Sequence, residues 1–389
     1  MIKSIKIANF KSILSLGELS FSDGTTFIIG KNGAGKSTLL SALCLTKKIA
    51  SKATIDEALS DVAPFGFELF TKNSRKMTTE IQLRVKDDLG QVYKYSYSIG
   101  VTSSSFAITE ESLTKMKGEE EAPVFHRTNN ELKALDQKTQ KLVDVPLSIT
   151  SVQAVLSNYN DETVAKVAAL IAGYKILWFD KSTDPSGFKV HIQDKLDQIS
   201  LDAIVVDLFK NKKNAFDNAV KIIKQLIPEF EAPIVQTISP GTAKKDEKGK
   251  MLDRYVVFWK ESGDLEYTIT GLSDGNFRII QLIFTLLASQ KSVCLVGEEI
   301  ENGQHYGRIK TLLEVLRVLS IKLDIQLIFT THSKDLLSYV NSSDVVYCYK
   351  DEQGHSQFEY LDEKVDTDSV RNALGKMPTT KDYLDLGLA

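Results

Sequence analysis

The sequence predicts an α/β fold with a mixed, largely parallel core sheet, a separate antiparallel β subdomain and an inserted helical lobe. Three observations support this. Apolar strands alternate with helical patterns towards the end of the chain, period-two alternation dominates residues 79–117, and three- and four-residue apolar spacing dominates residues 148–230. With 389 residues, 42% of them hydrophobic and 25% charged, the chain can bury a sizeable core. It is long enough for two domains or for one domain with a large insertion.

In chain order, residues 3–10 and "TTFII" (25–29) read as strands, the second running into a glycine-rich turn. After the turn, Leu39, Leu40, Leu43 and Cys44 fall at helical spacing. "TEIQLRV" and "QVYKYSYSIG" flank the turn "KDDLG" and set Tyr93, Tyr95 and Tyr97 on one face, as in an antiparallel meander. "DETVAKVAALIAGY", "HIQDKLDQISLDAIVVDLFK" and "NAFDNAVKIIKQLI" read as helices without a sustained heptad repeat, which argues against a long coiled coil. "SPGTAKKDEKGKML" (239–252) reads as a polar loop over a hairpin of "RYVVFW" and "LEYTIT". A helix at 276–289, a strand at 293–297, a helix at 306–320 and strands at 325–330 and 344–349 then alternate as in a parallel sheet. The expected division is an N-terminal lobe over 1–147, a helical insertion over 148–235 and a C-terminal lobe over 236–389.

The net charge of −3 excludes a uniformly basic chain and confines any nucleic-acid contact to a local patch. "KNKKNAF" (210–216) and "AKKDEKGK" (243–250) are the candidates, and both read more simply as solvated faces. Cys44, Cys294 and Cys348 lie far apart in apolar surroundings without CxxC spacing, as reduced core thiols do. The first residues lack the apolar core of a signal peptide, and no apolar run reaches the roughly 18 residues that span a bilayer. The expectation is a soluble cytoplasmic protein without membrane contact.

The turn after "TTFII" is "GKNGAGKST" (30–38), which fits G-x-x-x-x-G-K-[ST] at Gly30, Gly35, Lys36 and Ser37. Backbone amides of such a loop cradle phosphates, the lysine reaches the terminal phosphates and the serine hydroxyl binds Mg²⁺. A pattern this short also arises by chance, but here the strand before it and the helix after it supply the required context.

"VCLVGEEIENGQH" (293–305) runs from a buried-strand pattern into Glu298 and Glu299. Two adjacent carboxylates at a strand's mouth must face water or be compensated by a cation. Beside a phosphate-binding loop that cation is a nucleotide's Mg²⁺, with Glu298 on the metal side and Glu299 polarising the attacking water. Taken alone, the pair also reads as an exposed helix start, where carboxylates suit the dipole.

In "TGLSDGNFRIIQLIF" (270–284), Ser273, Asp274, Gly275 and Asn276 open a helix whose free amides, hydroxyl and glycine make a second phosphate-binding surface. A plain N-cap by Ser273 or Asp274 is the simpler local reading. "LIFTTHSKDLL" (327–337) places His332 directly after another apolar strand. A lone histidine is more often structural, but at a strand's carboxyl end it can reach a γ-phosphate.

Taken in order, "GKNGAGKST", "LSDGN", "LVGEEIEN" and "TTHS" resemble the Walker A, signature, Walker B and switch-histidine motifs of ABC-type P-loop ATPases. "IKIANFKSI" and the wide spacing from Lys36 to Ser273 (273 − 36 = 237) resemble the RecF/SMC-like branch rather than a transporter subunit. "EEIENGQH" is similar to the form found in the OLD family and in AAA15- and AAA21-type anti-phage ATPases of Septu-like and PARIS-like systems. OLD nucleases continue into a Toprim domain; about forty residues follow the last strand read here, so the expectation is an ATPase lacking that domain.

The resemblance implies that Gly30, Lys31, Asn32, Gly33, Ala34, Gly35, Lys36, Ser37 and Thr38 bind ATP and Mg²⁺ on one subunit. Ser273 and Gly275 of a second subunit would close the site, Glu299 would activate water and His332 would sense the γ-phosphate. Gln153, in "SITSVQAV", would join Ser37 and Glu298 on the metal side; it reads equally as a polar helix-start residue.

This sequence departs from the commonest signature at Asp274 and Asn276, has Glu298 where the usual Walker B has aspartate, and places Gln304 before His305. Those departures imply slow hydrolysis, which suits a switch better than a motor. The implied protein is an ATPase that forms a homodimer or higher even oligomer around ATP and governs a separate effector in anti-phage defence. By the same resemblance that effector would be a nuclease, of HNH or Toprim type, or a toxin. A RecF-like DNA-repair ATPase that binds DNA directly, and a nearly inactive nucleotide-dependent scaffold, are the alternatives.

Overall fold

Alternating apolar and polar residues in the first third of the chain build its largest element, an eight-stranded antiparallel sheet. The computed structural model describes residues 1–51, 54–60, 62–64, 66–72, 74–102, 105–118, 120–128, 131–136, 138–139, 141–146, 149–177, 179, 200–238, 254–263 and 265–364.

In chain order these residues form β1 (Ile2–Phe10), β2 (Ile13–Ser20), β3 (Thr25–Ile29), α1 (Lys36–Ala50), α2 (Ile55–Ser60), β4 (Thr78–Lys86), β5 (Val92–Val101), β6 (Phe106–Lys117), β7 (Glu120–Thr128), β8 (Glu131–Asp136) and β9 (Lys141–Val145). There follow α3 (Val155–Asn158), α4 (Glu162–Ala172), β10 (Lys175–Leu177), α5 (Leu201–Asn211), α6 (Lys213–Leu226), β11 (Phe230–Ile238), β12 (Arg254–Glu261), β13 (Leu265–Tyr267) and α7 (Asp274–Ala288). The last elements are β14 (Cys294–Glu298), α8 (Tyr306–Leu323), β15 (Gln326–Thr331), α9 (Lys334–Leu337), β16 (Val345–Lys350), β17 (Ser356–Tyr360) and α10 (Leu361–Lys364).

The chain forms two compact units, one of Met1–Ile176, Lys291–Glu298 and Asp324–Ala389, the other of Leu177–Gln290 and Glu299–Leu323. Thus residues 149–176 of the expected helical insertion pack within the first unit and residues 200–235 within the second. The expected loop at 239–252 lies outside the described residues.

The first unit holds two sheets. The antiparallel one runs β2-β1-β4-β5-β6-β7-β8-β9. Its inner face buries Ile5, Ile7, Ile81, Leu83, Tyr93, Tyr95, Tyr97, Leu113 and Phe125, which share one core with Leu39, Leu40 and Leu43 of α1 and Val164, Val167 and Ile171 of α4. The second sheet runs β10-β14-β15-β3-β16-β17, in which β14, β15, β3 and β16 are parallel and β17 is antiparallel. Ile28, Cys294, Val296, Ile328, Val346 and Cys348 turn one face of it into the same core.

The expected meander over 79–117 is therefore part of a wider sheet. Strands β7 to β9 extend it: a proline interrupts "EEAPVFHRT", and "ELKALD" and "KLVDV" are short and rich in charge, so none stands out as a strand by pattern.

The second unit packs α5, α6, α7 and α8 with an antiparallel sheet of order β11-β12-β13. The hairpin read in the sequence thus gains a third strand. An aromatic cluster forms its centre, with Trp259 6.3 Å from Phe230 and 6.2 Å from Phe284, and Phe216 5.9 Å from Phe284, ring centroid to ring centroid. Among the described residues no helix is long and apolar enough to cross a membrane.

Candidate functional site

The phosphate-loop motif begins where β3 ends. A Cβ at Gly30 would lie 2.2 Å from the carbonyl oxygen of Cys348 on the neighbouring strand, so only glycine lets the two backbones meet. Gly35 has φ +122°, and a Cβ there would lie 2.0 Å from Ser356 Oγ. It is also the N-cap of α1 and offers no side-chain cap, so the opening of the helix is left available for an anion. Lys36 is buried and folds back over the loop, its Nζ donating to the carbonyls of Gly30 (2.7 Å) and Lys31 (3.3 Å).

A chain of hydroxyls braces the rear of the loop. Ser356 donates to the Ala34 carbonyl at 2.5 Å, so it accepts from Lys350 Nζ at 3.0 Å and from Ser12 Oγ at 2.8 Å. Ser12 has then given up its proton, which makes Thr38 the donor in their 2.9 Å bond. Pattern reading missed Ser12, Lys350 and Ser356, because a brace assembled from residues more than 300 apart leaves no local signal. Cys348 contributes packing: burial pushes its thiol up to about 12, against the opposing pull of Lys36 and Lys350, so it is an inert neighbour.

Strand register brings the other candidates of this unit to the same edge. Glu298 lies opposite Thr330, Thr330 opposite Ile28 and Thr331 opposite Ile29, so β14, β15 and β3 end at one level. With strands about 4.8 Å apart, the backbone of Glu298 lies about 10 Å across the sheet from the end of β3. The exposed His332 follows β15 directly. Ligands of parallel sheets bind at this carboxyl edge.

Gln153 lies on the turn before α3, its Oε1 accepting from Thr150 Oγ1 at 3.1 Å, and α3 packs against α1. Ser37 and Glu298 supply hard oxygen donors of the kind Mg²⁺ prefers. Among the described residues no group of three or more His, Cys, Asp or Glu is placed to hold a metal. The donor set therefore fits an ion that takes the rest of its shell from phosphate and water.

The remaining candidates sit in the second unit. Ser273 does cap α7, accepting from the Asn276 amide at 3.1 Å. A Cβ at Gly275 would meet the Gly303 carbonyl oxygen at 2.2 Å, and Gln304 Nε2 donates to the Gly275 carbonyl at 2.6 Å. Arg308 binds the Asn276 side-chain oxygen at 2.9 Å.

Glu299 has φ +47°, in the left-handed region that costs a non-glycine residue roughly 1–3 kcal/mol. Its carbonyl accepts from Arg278 Nη1 at 3.1 Å and from the Asn302 amide at 3.0 Å, and its carboxylate accepts from Asn302 Nδ2 at 3.2 Å. The first turn of α7 and the loop after Glu299 are thus fastened together. The sequence shows Gln304 only as a departure from a pattern, whereas in the structure it is one of the fasteners.

The basic run at 210–216 is occupied locally. Lys210 bonds the Tyr255 hydroxyl, Lys212 donates to the Ala288 carbonyl at 3.4 Å, and Lys213 pairs with Asp217 at 2.9 Å over the Phe209 and Phe216 rings. The other basic run, 243–250, lies outside the described residues.

No curated protein matches the chain. Among solved structures it is similar to an SMC head bound to the C-terminal winged-helix domain of ScpA, with a TM-score of 0.54 and 16% identity over 92% of this chain and 96% of that one. It is equally similar in TM-score (0.54, 12% identity, 97% of this chain and 100% of that one) to an SMC head domain with an extended coiled coil, bound to the C-terminal domain of ScpA derived from Pyrococcus furiosus. The fold is that of an SMC-head-like α/β P-loop ATPase, as the motif order leads one to expect. Residues 25–338 match the family model described as "AAA domain, putative AbiEii toxin, Type IV TA system", and the chain belongs to that family of P-loop ATPase domains.

Proposed function

We propose that the protein is an ATP-hydrolysing switch that dimerises around ATP and controls a separate effector. The observation that carries this reading is the common level of β3, β14 and β15, which sets residues 30–38, Glu298 and His332 along one sheet edge. The loop backbone and Lys36 hold the phosphates, and Thr38 and Ser37 close the loop's helical side. Ser37, Glu298 and Gln153 would hold Mg²⁺, which would supply charge neutralisation at the phosphates. Glu299 accepts the proton of the attacking water. His332 contacts the γ-phosphate. Ser273 and Gly275 meet the nucleotide of a second copy, so the tight dimer exists only with ATP in place.

The effector is read as a nuclease or toxin of an anti-phage system. The family description supports this, since it pairs an AAA domain with a toxin of a type IV toxin–antitoxin system. The two SMC heads above, each bound to a domain of another protein, support the view that such a fold accepts a protein partner. The local occupation of Lys210, Lys212 and Lys213 removes one support for direct DNA binding.

Light scattering with and without ATP and Mg²⁺ tests the switch. Glu299→Gln is expected to form a stable dimer only with ATP and to hydrolyse it at least 100-fold more slowly, as loss of a general base does. Lys36→Ala is expected to stay monomeric. A mass that ignores nucleotide in every variant would sink the reading.

A further inference from the structure

Glu111 on β6 and Arg127 on β7 are charged, wholly buried and unused by any step above. They face each other in register, with the carboxylate 3.8 Å from the guanidinium, too far for a hydrogen bond. Each turns its hydrogen bonds on the main chain of one segment. Arg127 donates from Nη1 to the Gln153 carbonyl at 2.8 Å and from Nη2 to the Thr150 carbonyl at 3.1 Å. Glu111 accepts from the amides of Val155 at 2.7 Å and Leu156 at 2.9 Å, and from the Tyr95 hydroxyl at 2.9 Å.

A buried ion pair rarely outperforms apolar side chains of the same volume, so stability alone does not account for this one. The fit for stability is also imperfect, since Arg127 Nε is buried without a hydrogen-bond partner. Burial pushes the Glu111 carboxyl up, against its hydrogen bonds from Leu156, Val155 and Tyr95, and the Arg127 guanidinium down, against the attraction of Glu111 and Tyr95. What the pair supplies is a fixed path for residues 150–156, with one grip on either side of Gln153. That path leads into α3, which packs on α1, the helix that opens at Lys36.

We propose that Glu111 and Arg127 are positioning residues that clamp the main chain around Gln153 and so present its side-chain amide to the metal side of the nucleotide site. This rests on the function proposed above. Arg127 acts through the Gln153 carbonyl, and Glu111 through the amides of Val155 and Leu156 just beyond it. The Thr150 hydroxyl completes the arrangement by engaging the Gln153 amide oxygen within the same turn.

The test uses the full chain carrying Glu111→Leu with Arg127→Met, which removes both charges at similar volume, and Arg127→Lys, which keeps the charge but cannot fork between two carbonyls. Three quantities are measured: hydrogen exchange at the Val155 and Leu156 amides, ATP affinity without metal, and the Mg²⁺ concentration that half-saturates hydrolysis. The double variant is expected to keep its metal-free ATP affinity, to exchange those two amides at least tenfold faster, and to need about tenfold more Mg²⁺, as loss of an outer-shell partner does. Arg127→Lys is expected to move the Mg²⁺ requirement in the same direction by less. Faster exchange with a wild-type Mg²⁺ requirement in both variants would make the clamp merely structural and overturn the proposal. If the double variant does not fold, Arg127→Lys decides alone: an unchanged Mg²⁺ requirement overturns the proposal and a raised one supports it. If the wild type binds no more ATP than Lys36→Ala, the function proposed above falls, and this inference falls with it.

Discussion

The phosphate loop and the loop after Glu299 are held in opposite ways. Residues 30–38 are braced from far away, by Ser12 and by Cys348 and Ser356 of the hairpin formed by β16 and β17. The loop after Glu299 is held from close by, through Arg278 and Gln304 reaching between it and the first turns of α7. A distant brace fixes a shape once the sheet has formed. A local fastener ties a loop to the helix turn beside it. The difference separates a loop shaped by a whole sheet from one shaped by its own neighbourhood.

The largest expected effect breaks the distant brace. Gly30→Ala puts a methyl group into the Cys348 carbonyl, a backbone clash that no rotamer relieves, and is expected to cost about 3 kcal/mol and abolish ATP binding. Thermal denaturation and nucleotide titration check it; a variant with wild-type melting and affinity would show that the loop is not built against β16.

A smaller effect is expected at the local fastener. Gln304→Ala removes one bond, worth about 1 kcal/mol, and is expected to slow hydrolysis up to about tenfold while ATP affinity at the phosphate loop stays the same. If affinity falls and turnover does not, the contrast between the two loops is wrong.

A third test sharpens the contrast between the units. Burial pushes Asp202, at the start of α5 beside Trp259, up to about 7. A carboxyl raised above its unfolded value stabilises the folded state fully below the unfolded value near 4, and that contribution is lost as pH rises towards 7. The melting temperature of the second unit is therefore expected to rise as pH falls from 8 to 5, and Asp202→Asn to remove most of that slope. An unchanged slope in the variant would place the titration elsewhere.

The sequence made much of this architecture legible, though unevenly. The positions of residues 30–38 after β3, of Glu298 and Glu299 at the end of β14 and of His332 after β15 could be read because each stands within a few residues of its own strand. Their shared edge follows from parallel strands alternating with helices. What stayed hidden depends on contacts between residues remote in the chain. Nothing around Ser356 announces that it fills the space behind Gly35, and nothing in "EEAPVFHRT" announces a strand that buries Arg127 against Glu111. The plain N-cap reading of Ser273 was right about the local bond, and the glycine beside it is required by Gly303, which the motif alone does not reveal.

The order of strands in the second sheet has a consequence for how the protein is made. β3 is emitted early by the ribosome, yet both of its partners, β15 and β16, are encoded about 300 residues later. At about 5–20 residues per second, that gap leaves the apolar strand before the phosphate cradle without either neighbour for roughly 15–60 s of synthesis. A nascent chain therefore cannot wall in this loop until β15 and β16 have been translated, so residues 30–38 take their braced shape long after they leave the ribosome.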